Sequence, residues 1–110
     1  MPHYMFQGRY SAASLKAMVD TPQDREVQAR KIVEAAGGKL LQFFFCFGED
    51  DFVVLIEGPD DASMAAVTFT IGASGGFSAG RTTKLMTAQE AMKSMAKAKA
   101  MSSSYAPPKA

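Results

Sequence analysis

The sequence predicts a mixed α+β domain, β-α-β-β-α-β, with one further helix at its C-terminal end. Three observations carry that expectation. The first is a pair of apolar runs, Leu40-Leu41-Gln42-Phe43-Phe44-Phe45-Cys46-Phe47 and Phe52-Val53-Val54-Leu55-Ile56, separated by a short acidic turn. Aromatic and β-branched runs split by Gly and Asp form a β-hairpin. The second is period-two alternation at the start, with Tyr4, Phe6, Gly8 and Tyr10 on one face and His3, Met5, Gln7 and Arg9 on the other. The third is a set of helix-spaced segments that open on recognisable caps.

In chain order, His3 to Tyr10 is the first strand. Ser11 caps a short helical piece over residues 12–19, and Asp20-Thr21-Pro22 restarts the helix, with Thr21 as cap and Pro22 in the first turn. Val27, Ile32, Val33 and Ala36 form its apolar side, and Gly37-Gly38 ends it. After the hairpin, Asp60 caps a helix whose stripe is Met64, Val67, Thr68 and Ile71, and Asp61 adds a favourable charge at its positive end. Residues 77–86 are the fourth strand. Thr87-Ala88-Gln89-Glu90 is a capping box that opens the last helix, with Ala91, Met92, Met95 and Ala98 on one side at core spacing. Residues 1–99 form one domain, and residues 100–110, with Ser102-Ser103-Ser104 and Pro107-Pro108, are expected to be a flexible tail.

This order is the ferredoxin-like split βαβ arrangement, in which the main helices cover one face of an antiparallel sheet. Both hairpin runs are apolar at both parities, so both faces need cover. A second copy packed sheet to sheet supplies it, and a homodimer follows. Lysine at Phe45 and Phe47 together is expected to disrupt folding or dimerisation.

At 110 residues, with 21% charged and 47% apolar residues, the chain is an ordinary globular domain. A formal net charge of +1 gives no reason to expect nucleic acid or a membrane surface as partner. No apolar stretch approaches the roughly 20 residues that cross a bilayer, and no signal peptide is visible, so the expected location is cytoplasmic. The single Cys46 excludes an intrachain disulfide and, within an apolar run, reads as a small buried hydrophobe. Charge is segregated: six acids and no lysine or arginine lie within residues 40–80, whereas Arg81, Lys84, Lys93, Lys97, Lys99 and Lys109 face only Glu90 after them.

Pro2 and Tyr4, Asp20-Thr21-Pro22, Gly37-Gly38-Lys39, Gly48-Glu49-Asp50-Asp51, Pro59-Asp60-Asp61, Gly72 with Gly75, and Arg81-Thr82 before Leu85 and Thr87 recur here in one order and spacing. In these residues the chain resembles the GYD-domain family, small proteins of the dimeric α/β-barrel group. The resemblance spans about residues 2 to 95. It implies a dimeric α/β barrel and leaves the activity open, since the family has no common one. Asp50 stands where the Gly-Tyr-Asp-like signature has its tyrosine. By analogy, the wider group includes cofactor-free oxygenases, isomerases, heme enzymes and ligand-sensing domains.

Candidate site residues are few. Glu49, Asp50 and Asp51 suit a hard cation, but calcium-loop spacing is absent and aspartate is common in turns, so no metal is expected. Gly48 is expected to supply a positive φ, and Asp51 to bond turn backbone. His3, Arg9, Tyr10 and Arg81 are the candidate ligand contacts, the arginines and Tyr10 suiting a carboxylate or phenolate. Cys46 has no basic neighbour to activate it, and the methionines are packing residues. No Walker loop, dinucleotide fingerprint or triad spacing occurs, and no cofactor is expected. The function expected is a small-molecule-binding or assembly module. The alternative is a cofactor-independent monooxygenase or isomerase using His3, Arg9 and Tyr10 in an aromatic pocket.

Overall fold

A computed structural model describes residues 1–109. Its elements are β1 (His3–Tyr10), α1 (Ala12–Asp20), α2 (Arg25–Ala35), β2 (Lys39–Phe45), β3 (Phe52–Glu57), α3 (Asp61–Ala73), β4 (Phe77–Leu85) and α4 (Ala88–Met101), followed by a 3₁₀ turn, Ser102–Ser104. The four strands form one sheet in the order β2-β3-β1-β4, and every pairing is antiparallel. This is the expected ferredoxin-like α+β arrangement with its additional helix. Among the described residues, no helix is long and apolar enough to cross a membrane. Ala110, the last residue of the expected tail, lies outside the described residues.

Alternation sorts the side chains. Tyr4, Phe6 and Tyr10 of β1 and Phe52, Val54 and Ile56 of β3 are buried beneath α2 and α3, where Val33, Met64 and Val67 meet them. The opposite parity of β3, Val53 and Leu55, is only half-buried on a face that no described element covers. In β2 an extra residue, Leu41, interrupts the register between Leu40 and Gln42. That bulge turns Leu40, Phe43 and Phe45 toward the helices and Phe44 away.

Several local expectations need correction. Thr21 ends α1, donating its N–H to the Ala17 carbonyl, and the cap of α2 is Asp24, whose carboxylate accepts from the Glu26 N–H. An aspartate cap adds a negative charge at the helix dipole, which Thr21 lacks, and Pro22 lies in the connection. Strand β2 stops at Phe45, so Cys46 is exposed and Phe47 fully so. Gly48 has no positive φ; among the described residues that conformation is confined to Gly37 and Gly75, at helix ends where it satisfies terminal carbonyls. The Asp51 side chain does not bond the turn itself: its Oδ2 accepts the Tyr10 N–H at 2.9 Å, and the Asp51 N–H donates to the Gly8 carbonyl at 2.8 Å. It thereby pins the hairpin to the end of β1, where the β1–β4 register slips between Arg9 and Tyr10. Asp51→Ala leaves that N–H without its acceptor and is expected to cost about 1–3 kcal/mol, read as a lower urea midpoint at unchanged slope.

The caps of the later helices are as expected. Asp60 accepts from Ser63, and Thr87 and Glu90 form the reciprocal box of α4. However, α4 buries none of its residues, and Met92 and Met95 are 62% and 66% exposed. Their core spacing is real, but no described element packs over them.

Candidate functional site

Four strands aim aromatic rings at one place beneath the helices. Phe52 lies at the centre, with ring centroids 5.0 Å from Tyr10, 5.3 Å from Phe77, 5.5 Å from Phe6 and 6.1 Å from Phe43. Room for this cluster comes from Gly8: a Cβ there would lie 2.7 Å from the Ala79 carbonyl oxygen and 3.0 Å from the Phe52 ring. Above the rings α2 and α3 stand apart, and a cavity of about 240 Å³ opens between them. Its polar groups are the Tyr10 phenol, Arg25 and Gln28 from α2, and Thr70 and Ser74 from α3.

Burial pushes the Tyr10 phenol above its ordinary pKa, the Arg25 guanidinium beside it pulls the other way, and Asp51 pushes it up again. The phenol is therefore neutral at pH 7 and available as a hydrogen-bond donor. Arg25 donates to the Gln23 side chain at 3.1 Å and has no carboxylate partner among the described residues. The described cavity wall contains no carboxylate, imidazole or thiol. Such a cleft can hold an apolar body among rings and an anionic head at Arg25.

The expected contacts do not converge there. Tyr10 faces this cleft, while His3, Arg9 and Arg81 project from the opposite, uncovered face of the sheet. On that face Arg81 makes a 2.7 Å ion pair with Asp50 and donates to Gln7 at 3.2 Å. His3 Nε2 lies 3.4 Å from Glu57, and its Nδ1 is buried without a partner. Arg9 is exposed. In the turn, Asp50 is largely buried (13% exposed) by Arg81, Asp51 holds Tyr10, and Gly48 and Glu49 are exposed at the tip. Asp50 thus serves as a salt-bridge partner. Among the described residues no three His, Cys, Asp or Glu side chains are placed to share a metal ion.

A larger trough of about 350 Å³ runs between α3 and the edge strand β4. At one end the Tyr4 phenol donates to Asp61 at 2.5 Å, and Lys84 lies 2.9 Å from the same carboxylate. That bond raises the Tyr4 phenol to about 12 and lowers Asp61. These charges are satisfied by one another, and Phe69 stands 76% exposed beside them. The smaller cleft is the stronger ligand candidate because its cation is free of any described carboxylate.

The GYD domain profile matches residues 4–95. This chain belongs to the GYD domain family. No curated protein sequence matches it. Solved structures similar to this GYD domain include MtbAldR, with TM-score 0.58 and 13% identity over 78% of this chain. FFRP-DM1 follows at 0.53 and 16% over 78% of the chain and 100% of its own. Protein Atu4242 from Agrobacterium tumefaciens is similar at 0.51 and 14%, over 80% of the chain and 94% of its own. The alignment covers 53% of MtbAldR, about half its length. At these identities the likeness establishes the ferredoxin-like fold alone.

Sequence reasoning missed Arg25, Gln28, Phe77, Thr70 and Ser74 as site residues. The available signal was Asp24: read as the helix cap, it places Arg25 in the first turn and Gln28 one turn on, beside the end of β1.

Proposed function

We propose that this GYD domain is a cytoplasmic, homodimeric module that binds a small, partly apolar anion in the cleft of Tyr10, Arg25 and the surrounding phenylalanines. The observation that supports binding is a guanidinium without a carboxylate partner among the described residues, beside a neutral phenol at the mouth of an aromatic cavity. Binding is favoured over acid–base catalysis because the described cavity wall supplies no carboxylate, imidazole or thiol. The enzyme alternative needs His3 and Arg9 in one pocket with Tyr10, and within one chain they lie on opposite faces. Self-association is supported by the uncovered sheet face, where Met5, Val53 and Leu55 form an apolar strip between the His3–Glu57 and Arg81–Asp50 pairs.

Thermal melts with benzoate, phenylacetate and 4-hydroxybenzoate, against benzyl alcohol as the uncharged control, test the cleft. The carboxylates are expected to raise the melting temperature more than the alcohol does. Arg25→Ala should weaken carboxylate binding about 10- to 100-fold, the worth of a hydrogen bond to a charged group, and leave the unliganded melt unchanged. Equal responses to acids and alcohol, or equal binding by both proteins, would contradict the reading.

A further inference from the structure

The helix α4 and the tip of the β2–β3 hairpin are two exposed surfaces of the same chain that match one another. Helix α4 is an arm. It touches the domain only weakly, and the molecule measures 59 × 37 × 22 Å with a radius of gyration of 17.9 Å, against roughly 13 Å for a compact chain of this length. A 14-residue helix is marginal in water without tertiary packing. Its apolar stripe is Ala91, Met92, Met95 and Ala98, and its charged groups are Lys93, Lys97 and Lys99 against the single Glu90. None of the three lysines forms an ion pair among the described residues. The hairpin tip has the opposite character. Phe44 and Phe47 are 55% and 104% exposed, and Glu49 at the tip is an exposed carboxylate with no ion pair among the described residues, whereas Asp50 is held by Arg81 and Asp51 by the Tyr10 N–H. Methionine thioethers suit aromatic rings, and the charges are complementary.

The two surfaces cannot meet within one chain. The tip lies at the β2 edge, at the end of the sheet where Phe45 pairs with Phe52. Helix α4 leaves the other edge, β4, at the opposite end, where Leu85 pairs with His3. They occupy diagonally opposite corners. A two-fold axis parallel to the sheet, below its uncovered face and along the remaining diagonal, brings those corners opposite one another and turns the two uncovered faces toward each other. We infer that α4 of each subunit docks on the hairpin tip of a second copy, Met92 and Met95 against Phe44 and Phe47, in a reciprocal exchange of arms. Covering two phenylalanines twice removes on the order of 600 Å² of aromatic surface at the usual 150 Å² or more per ring, a substantial part of the roughly 1,200–2,000 Å² of a stable interface. The inference rests on the proposed self-association and specifies its geometry.

Cys46 at the tip provides the test. Met95→Cys adds one exposed thiol on α4, and a short bismaleimide is applied to a mixture of ¹⁵N-labelled and unlabelled protein. Cross-linked peptides joining Cys46 of one isotope to position 95 of the other are the expected result. A link between Cys46 and position 95 confined to one chain, or no such link, overturns the docking. If native mass spectra still show a dimer in that case, only the arm fails and the sheet-to-sheet pairing stands; a monomer removes both. In a second variant, Met92→Glu with Met95→Glu is expected to raise the dimer Kd at least tenfold with helix content retained, and an unchanged Kd overturns the inference.

Discussion

Phe52→Ala is expected to cost about 3–5 kcal/mol, the range for truncating a fully buried phenylalanine. The ring is 2% exposed and packs with four other aromatic rings from the three other strands, so its removal leaves a void that no single neighbour can fill. A domain of this size has roughly 5–15 kcal/mol of stability in all. The melting temperature should fall by about 12–20 °C at some 4 °C per kcal/mol, with the denaturation slope unchanged. Because Phe52 also floors the cleft, carboxylate binding should weaken in the same variant below its melt. A loss under about 1 kcal/mol in urea titration, the average for an arbitrary substitution, would show that the ring cluster is not the core of this fold.

The second large effect lies on the opposite face. Leu55→Glu replaces a half-buried residue of the apolar strip beside Met5 and Val53, next to Glu57, with a carboxylate. If that face is closed by a second copy, the substitution buries an unpaired charge at several kcal/mol, and each 1.4 kcal/mol is about tenfold in affinity. The dimer Kd should rise at least a hundredfold. The monomer should remain folded, because Leu55 packs on none of the helices. Sedimentation across a concentration series reads the first effect, and far-ultraviolet circular dichroism the second. An unchanged Kd would place the subunit contact elsewhere.

The contrast between these two variants reflects what the sequence could disclose. Alternation in His3 to Tyr10 assigned Tyr4, Phe6 and Tyr10 to one face because strand geometry fixes parity locally. The Asp60 cap and the Thr87–Glu90 box were legible for the same reason, being bonds between residues three apart. Parity failed in β2, where the Leu41 bulge shifts every later side chain by one and nothing in Leu40-Leu41-Gln42 announces it. Cys46 and Phe47 were expected inside because the apolar run continues through them. The hairpin closes earlier, when the Cys46 N–H donates to the Asp51 carbonyl.

The candidate site was less legible than the fold. Tyr10 was found, but its companion Arg25 comes from the first turn of α2 and reaches the phenol only through the way that helix lies across the sheet. Pro22 obscured it by offering a plausible earlier helix start. Arg9, adjacent to Tyr10 in sequence, points to the other face for the reason that made β1 recognisable. His3, Arg9 and Arg81 therefore belong to the face proposed for self-association. The isolation of α4 is likewise invisible locally: Met92 and Met95 have the spacing of a buried stripe whether or not a surface exists to receive them.

Native mass spectrometry on untagged protein, from tens of micromolar downward, tests the central claim of a self-associating binding module most directly. The expected result is a species of twice 11.8 kDa that adds one benzoate per subunit and loses that adduct in Arg25→Ala. A species of 11.8 kDa throughout the series, with no carboxylate adduct, would contradict it.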